Sequence, residues 1–504
     1  MTGADAALVA MLLALFGGIL SGIPAMLAIA GVPLVSALIA STMGVFDLQF
    51  LTFFPARVWG IMSNTLLMAV PLFVLMGVLL ERSGLAQRML DVLSRLVRGS
   101  PRGIALAVLA FSTLIAASTG IIGATVVMLV LIALPAMTEA GIDKRLAAGV
   151  ICASGTLGQI IPPSILLVLL GDQIGSTYLE AQQAAGNFAP DPVSVGDLFA
   201  GALLPGLVLV SLYAVFIAIM LRPARGPVPV EGAPVTARLL VFTFLPPIAL
   251  IVAVLGSILA GIATTTEAAG LGAVGALLLA ASGKAGRAGR ALVAAAALGA
   301  VVLIALRLAD VAGPVAVIAA LLVGIGTLAG GVTLFRGGIL AGAVDETVKI
   351  TGMVFGIVVA ASLLSLVFRG FGGDERVADL IAAMPGGTAS ALALVLAIVF
   401  LLGFILEAIE IIYIVVPLLG PPILGTDISP VWFGVLLAMN LQTSFLTPPF
   451  GFALFYFRSA APRSISTTDI YVGVAPFVGL QILAMALLIA VPELATWLPD
   501  LMFR

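Results

Sequence analysis

The stretches GQIIPPSI (158–165) and SFLTPPFG (444–451) decide how this chain is read. Each sets two consecutive prolines inside an apolar run that would otherwise continue as helix. A proline at position i offers no N–H to the carbonyl at i−4, so a pair of them breaks a helix and frees two carbonyls. At the first break these belong to Gly158 and Gln159, and at the second to Ser444 and Phe445. Unsatisfied backbone is costly in hydrocarbon and persists where it is buried in protein or lines a cavity holding water or ions. The half-helices also direct their dipoles at the break, favouring anionic groups at an N-terminal end and cations at a C-terminal end.

Working outward, the two breaks share their surroundings. Pro448 and Pro449 follow Pro162 and Pro163 by 286 residues (448 − 162). Each pair is followed by an acidic, an aromatic, a glycine and a proline residue: Asp197, Phe199, Gly201 and Pro205, then Asp469, Tyr471, Gly473 and Pro476. The interval from proline pair to aspartate is 34 residues in the first half (197 − 163) and 20 in the second (469 − 449), which implies an insertion in the first. Its segment TYLEAQQAAGNFAPDP (177–192) reads as a surface loop or short lid. Ser154, Thr156, Gln159 and Ser164 surround the first break, and Asn440, Gln442, Thr443, Ser444 and Thr447 the second. Their neutral oxygens, with the freed carbonyls, suit Na⁺.

The rest of the chain gives these breaks a bilayer as solvent. Of 504 residues 62% are hydrophobic and 9% charged, against roughly a quarter charged in a soluble domain. Apolar runs long enough to cross ~30 Å of hydrocarbon recur throughout. The stretch from Ala6 to Leu38 is too long for a signal-peptide core and has no basic flank, so it reads as part of the mature fold. The one cysteine, Cys152, has no disulfide partner, and there is no histidine. A metalloenzyme or histidine-based hydrolase is therefore disfavoured, as is any enzyme needing a nucleophile with an evident base. A channel is the remaining rival class. The net charge of −2 without a basic run argues against nucleic acid as a partner.

Loop charges set the orientation, because Lys and Arg mark the cytoplasmic side. Residues 81–102 carry five arginines, and 222–238, 284–290 and 458–463 are also basic, whereas 172–197 carry four acids and no base. The chain then reads as an all-α polytopic membrane protein of about twelve transmembrane helices plus two re-entrant hairpins, 103–137 and 385–419. The first hairpin opens from the cytoplasm and the second from the periplasm, which makes the halves an inverted repeat. The expected divisions are 1–102, scaffold helices and a cytoplasmic arm; 103–171, first hairpin and broken helix; 172–283, acidic outer loop and scaffold; 284–335, an extra helix pair. They continue with 336–384, a second arm and scaffold; 385–457, second hairpin and broken helix; and 458–504, the C-terminal span. Residues 85–98 form an amphipathic surface helix, repeated more weakly by 336–349. The hairpin turns differ. AASTGIIGAT (116–125) offers Ser118, Thr119, Gly120 and Thr125, while GFILEAIEII (403–412) places Glu407 and Glu410 on one helical face. Either glutamate could bind a cation or cap the hairpin, and buried Glu267 is open to the same two readings.

Five stretches carry a resemblance: VPLFVLMGVLLERSGLAQRML (70–90), GIDKRLAAGVICASGTLGQIIPPSI (141–165), GDLFAGALLPGL (196–207), GIATTTEAA (261–269) and PVWFGVLLAMNLQTSFLTPPFGFALF (430–455). Together they resemble the large membrane subunit of tripartite ATP-independent periplasmic (TRAP) transporters, within the ion transporter superfamily. The resemblance implies a Na⁺-driven elevator in a bacterial inner membrane, in which hairpins and broken helices slide along a fixed scaffold. It implies two protein partners, a small four-helix membrane subunit and a periplasmic substrate-binding protein, and an organic acid as substrate. Carried over, the Na⁺ region falls on Ser118, Thr119, Gly120, Gly155, Thr156, Gly158, Gln159, Glu407, Asn440, Thr443, Ser444 and Thr447. The substrate side falls on the breaks themselves, with Pro162, Pro163, Ser164, Pro448, Pro449 and Glu410. The chain departs from the family pattern at the Ser118–Ile121 tip, at Ser444 in place of a common glycine and at Thr265 in place of a usual proline. A transporter of the same superfamily working without a binding protein is the nearest alternative.

Overall fold

The computed structural model describes residues 3–97, 100–119, 122–221, 235–284, 286–309 and 313–503, apart from the side chains at 116–119, 288 and 308. Among the described residues every regular element is a helix, as a bilayer requires, because a helix satisfies its own backbone. Among the described residues ten helices are long and apolar enough to cross a membrane, or eleven when Leu48–Ser63 and Leu66–Arg82, bent by 53° at Asn64 and Thr65, count as one span. The segment Ala6 to Leu38 falls in the two helices Gly3–Leu20 and Ala25–Thr42.

The repeat extends further along the chain than the proline pairs alone suggest. Helix Ala69–Arg82 ends at Gly84, in the left-handed region (φ 71°), and the amphipathic helix Leu85–Leu96 follows. Helix Ile339–Gly370 likewise ends near Gly372 (φ 75°), followed by helix Gly373–Ala382. A helix pair comes next in each half, Pro101–Thr119 with Ile122–Glu139 and Gly387–Leu402 with Ala408–Leu419. Then come the broken helices, Lys144–Thr156 with Ile165–Ala184 and Pro430–Leu446 with Phe452–Ala460. Each half closes on a long span, Val195–Met220 or Thr467–Ala490.

Two expectations are corrected. Residues 336–349 are not a separate arm: from Ile339 onward they are the first turns of the 32-residue helix Ile339–Gly370. Their charges are met locally by an Asp345–Lys349 pair one turn apart (2.7 Å) and by Arg82, whose Nη2 lies 2.8 Å from Glu346. The true counterpart of 85–96 is Gly373–Ala382. The segment 177–192 is not all loop either, because helix Ile165–Ala184 continues through TYLEAQQA, made mostly of good helix formers. The longer interval in the first half is thus largely extra helix.

The aspartates that follow the breaks are helix caps. Ser194 N–H donates to Asp197 Oδ2 (2.8 Å) and Ser466 N–H to Asp469 Oδ2 (3.0 Å), with each serine hydroxyl returning a bond in a capping box. Asp469 also receives Lys144 Nζ (2.8 Å) and Arg145 Nε (3.1 Å) from the start of the first broken helix. Thr264 and Glu267 make a third capping box, so Glu267 is an exposed cap and not a buried carboxylate.

Each closing span packs on the broken helix of the other half: Thr467–Ala490 on Lys144–Thr156, and Val195–Met220 on Pro430–Leu446. Lipid is as apolar as leucine, so helices in a bilayer associate through close packing, which small residues permit. Gly149 and Gly473 meet backbone to backbone, leaving no room for a side chain on either. Between the halves, Arg287–Leu308 and Pro314–Arg336 pack on one another and on Thr265–Ser282.

Candidate functional site

The two breaks, the start of helix Ile122–Glu139, the start of helix Ala408–Leu419 and helix Ile339–Gly370 converge on one cavity of about 270 Å³. Ile122 and Gly123 come from the first hairpin, Gln159, Ile165 and Leu166 from the first break, and Glu407, Ala408 and Ile409 from the second hairpin. Phe445, Phe452 and Tyr456 come from the second break, and Ile350, Met353 and Val354 from the long helix. Most of the lining is apolar, and Gln159, Glu407 and Tyr456 supply the polar groups, the usual make-up of a small-molecule site.

Close backbone approach holds the parts together. A side chain on Gly123 would lie 2.8 Å from the ring of Tyr456, so the first hairpin sits against the second broken helix only because position 123 is glycine. Gly403 in the second hairpin abuts Ser444 in the same way, and Asn440 Nδ2 donates to Leu396 C=O of that hairpin (2.6 Å). Gly155 packs under Val126 of the first hairpin.

The breaks differ from the expectation of four bare carbonyls. Ser164 Oγ donates to Gln159 C=O (3.0 Å), and Thr447 N–H donates to Ser444 C=O (3.1 Å). Two of the four are therefore satisfied, because the chain tightens into short turns on either side of the prolines and brings new donors to them. Both Pro–Pro bonds are cis. The first break, including Pro162, Pro163 and Ser164, is buried, whereas at the second Pro449 is exposed and Tyr471 Oη donates to its carbonyl (2.8 Å).

Most hydroxyls near the breaks have spent their proton on a helix carbonyl: Thr156 on Ala153 (2.8 Å), Thr443 on Met439 (2.8 Å), Ser444 on Leu441 (2.9 Å) and Thr447 on Thr443 (2.7 Å). What each can still offer is lone pairs, which is what a cation needs. Gln159 Oε1 and Ser154 Oγ are buried with no hydrogen-bond partner among the described residues. Buried orphans of this kind mark places where water or an ion completes the set. The donor set therefore fits a hard monovalent cation.

The acidic pair divides its roles. Glu410 is buried and its Oε2 accepts the N–H of Glu407 (3.2 Å), the two residues forming a capping box at the start of helix Ala408–Leu419, and Glu407 also borders the cavity. Gly155 and Gly158 lie in the buried wall of the first break. Gly120 and the side chains of Ser118 and Thr119 lie outside the described residues.

Sequence reading passed over a second group of buried polar residues. Tyr213 from Val195–Met220 and Gln481 from Thr467–Ala490 face Gln442 beside the second break. A lone glutamine in the span QILAMALL was the available signal, since isolated polar residues in membrane helices usually have partners. Asn64, at the bend of the first-half span, was also missed; it donates to Asp172 Oδ1 (2.9 Å) across to the first broken helix.

Matching helix pairs, paired breaks and a shared cavity within a bundle of apolar helices define a membrane transporter fold. A crystal structure of the Alcanivorax borkumensis YdaH transporter has that fold, with a TM-score of 0.53 at 14% identity over 90% of both chains. Residues 8–494 match the family described as tripartite ATP-independent periplasmic transporter, DctM component, and the chain belongs to that family. It is 27% identical over 489 residues to the C4-dicarboxylate TRAP transporter large permease protein DctM of Vibrio cholerae, covering 94% of this chain and 96% of that one. The ectoine TRAP transporter large permease protein TeaC of Halomonas elongata is 25% identical, covering 87% of each chain.

Proposed function

We propose that the chain is the large permease subunit of a Na⁺-coupled importer that takes an organic acid from a periplasmic binding protein and carries it inward by an elevator motion. The observation that supports this best is the central cavity, where both hairpins and both broken helices face the uninterrupted helix Ile339–Gly370. In this reading residues 103–171 and 385–457 move as one body and the long spans around them stay fixed. The helix pairs Pro101–Glu139 and Gly387–Leu419 enter and leave on one side of the bilayer, and the halves run in opposite senses.

Cation coupling draws on the oxygens around the breaks. Thr156, Thr443, Ser444 and Thr447 give their protons to their own helices and keep lone pairs for a cation, and Gln159 supplies an uncommitted carbonyl oxygen. Na⁺ would add the charge that lets an anionic substrate sit beside Glu407. A small membrane subunit braces the scaffold, and the binding protein docks on the outer face. The relatives, named for C4-dicarboxylate and for ectoine, support a small polar solute.

The test is reconstitution of the chain with its small subunit in liposomes and uptake of labelled organic acids. Uptake should require both an inward Na⁺ gradient and the binding protein. Uptake that continues in choline, or without the binding protein, overturns the reading.

A further inference from the structure

A second cavity of about 440 Å³ lies between helix Phe54–Ser63 and the outer half of Ile339–Gly370 on one side and helices Ile165–Ala184 and Ala408–Leu419 on the other. Charge orientation puts it toward the periplasm. We propose that this recess binds a small carboxylate, with the Arg57 guanidinium as the receiving group.

The charged groups around it are held by close polar contacts, with one exception. Arg369 Nη2 donates to Glu180 Oε2 (2.9 Å), its Nη1 takes the other oxygen of that carboxylate, and its Nε lies 3.1 Å from Asp374. Asp172 accepts from Asn64 Nδ2 (2.9 Å) and from Tyr413 Oη (3.4 Å). Arg57 is half-buried and makes no hydrogen bond or close ion pair among the described residues, although the Glu180 and Asp374 carboxylates, both held by Arg369, attract it over a longer distance. Arg57 also borders an adjoining cavity of about 420 Å³, shared with Phe50, Phe53 and Arg369. The arginine is thus set between two chambers.

A guanidinium partly withdrawn from water, with five N–H donors and no acceptor, calls for an anion. Its planar fork matches a carboxylate with two parallel bonds, better than it matches a spherical halide. Glu180 and Asp172 line the same recess and repel a second negative charge, so one carboxylate goes to Arg57 and the rest of the ligand meets Asn64, Tyr413 and neutral amide or hydroxyl groups. The recess holds far more than a water molecule, and the long helix leads from it to the central cavity. It is therefore a receiving station for substrate on the outer side. This purpose rests on the transport reading, but the binding does not.

The experiment is thermal unfolding of the detergent-purified chain with its small subunit, in choline without Na⁺, with the monoanion succinamate and with neutral succinamide as probes. Succinamate should raise Tm and succinamide should not. Arg57→Gln should weaken the succinamate response at least tenfold, and Arg57→Lys, which keeps the charge but loses the fork, by several-fold. The ligand-free Tm of each variant reports whether it is folded. The Lys variant carries the test if the Gln variant is not. No succinamate effect on the wild type, an equal effect of succinamide, or a response kept in both Arg57 variants overturns the proposal. Na⁺-driven uptake, measured separately, judges the transport reading alone.

Discussion

Replacing Gly403 by alanine should drive the second hairpin away from helix Pro430–Leu446. The added methyl would overlap Ser444 Oγ and come within 2.7 Å of Ser444 Cβ. Ser444 cannot swing aside freely, because its hydroxyl already donates to Leu441 C=O (2.9 Å) and the residue is fully buried. Overpacking at such a site costs about 1–3 kcal/mol. Surrendering the serine hydrogen bond instead would cost about 1 kcal/mol. If closing the hairpin is coupled to Na⁺, a strain of about 1.4 kcal/mol relieved by opening raises the Na⁺ concentration for half-maximal uptake about tenfold. The assay is Na⁺-dependent uptake in proteoliposomes, with thermal stability in parallel, on Gly403→Ala, Ser444→Gly and the double variant. Removing the serine side chain clears the space, so the double variant should recover most of the loss, a coupling that a double-mutant cycle isolates. Wild-type Na⁺ dependence in Gly403→Ala, or a double variant no better than the single, refutes the close approach as the cause.

Three further outcomes follow from the site. Glu410→Ala should lose a helix cap worth about 1 kcal/mol and lower thermal stability, whereas Glu407→Gln should leave stability unchanged and alter Na⁺-dependent uptake; the reverse pattern would exchange their roles. Gln159→Leu removes a buried oxygen that has no partner among the described residues, so stability should hold or rise while the half-saturating Na⁺ concentration increases, and an unchanged Na⁺ titration counts against that oxygen as a ligand. Asp469→Ala should lower Tm more than Asp197→Ala, because both lose a capping box but only Asp469 also holds Lys144 and Arg145; equal shifts would leave those ion pairs without a part in stability.

The broken helices were legible because proline acts through its own covalent structure, whatever surrounds it. The repeat was legible at the same places, where Pro-Pro and the capping aspartates recur in step. Residues 373–382 escaped notice because a ten-residue helix after FGG looks like loop, while the charges of Asp345, Glu346 and Lys349 imitate a surface helix. Those charges are settled by pairing along and across helices, and only coordinates show it. The bend at Asn64 has no proline to announce it: the asparagine side chain accepts Leu66 N–H (2.9 Å) and takes over one bond that the helix gives up. Capping of the Gln159 and Ser444 carbonyls depends on how the chain turns after each proline pair, which the local residues do not specify on their own. Tyr213 lies far in sequence from Gln442 and Gln481, and it joins them because the first half's closing span packs on Pro430–Leu446 and Thr467–Ala490 of the second.

One helix borders both chambers. Ile350, Met353 and Val354 face the central cavity, and the stretch from Val358 to Arg369 faces the outer recess, so the middles of the two stretches are roughly 18 Å apart at the rise of an α-helix. Ile339–Gly370 has no break over its 32 residues, while its counterpart in the first half is bent by 53°. The fold therefore pairs a ruler with an elbow. The spacing between the two stations is built into a single rigid rod, and any shape change between them has to be taken up on the side of Asn64.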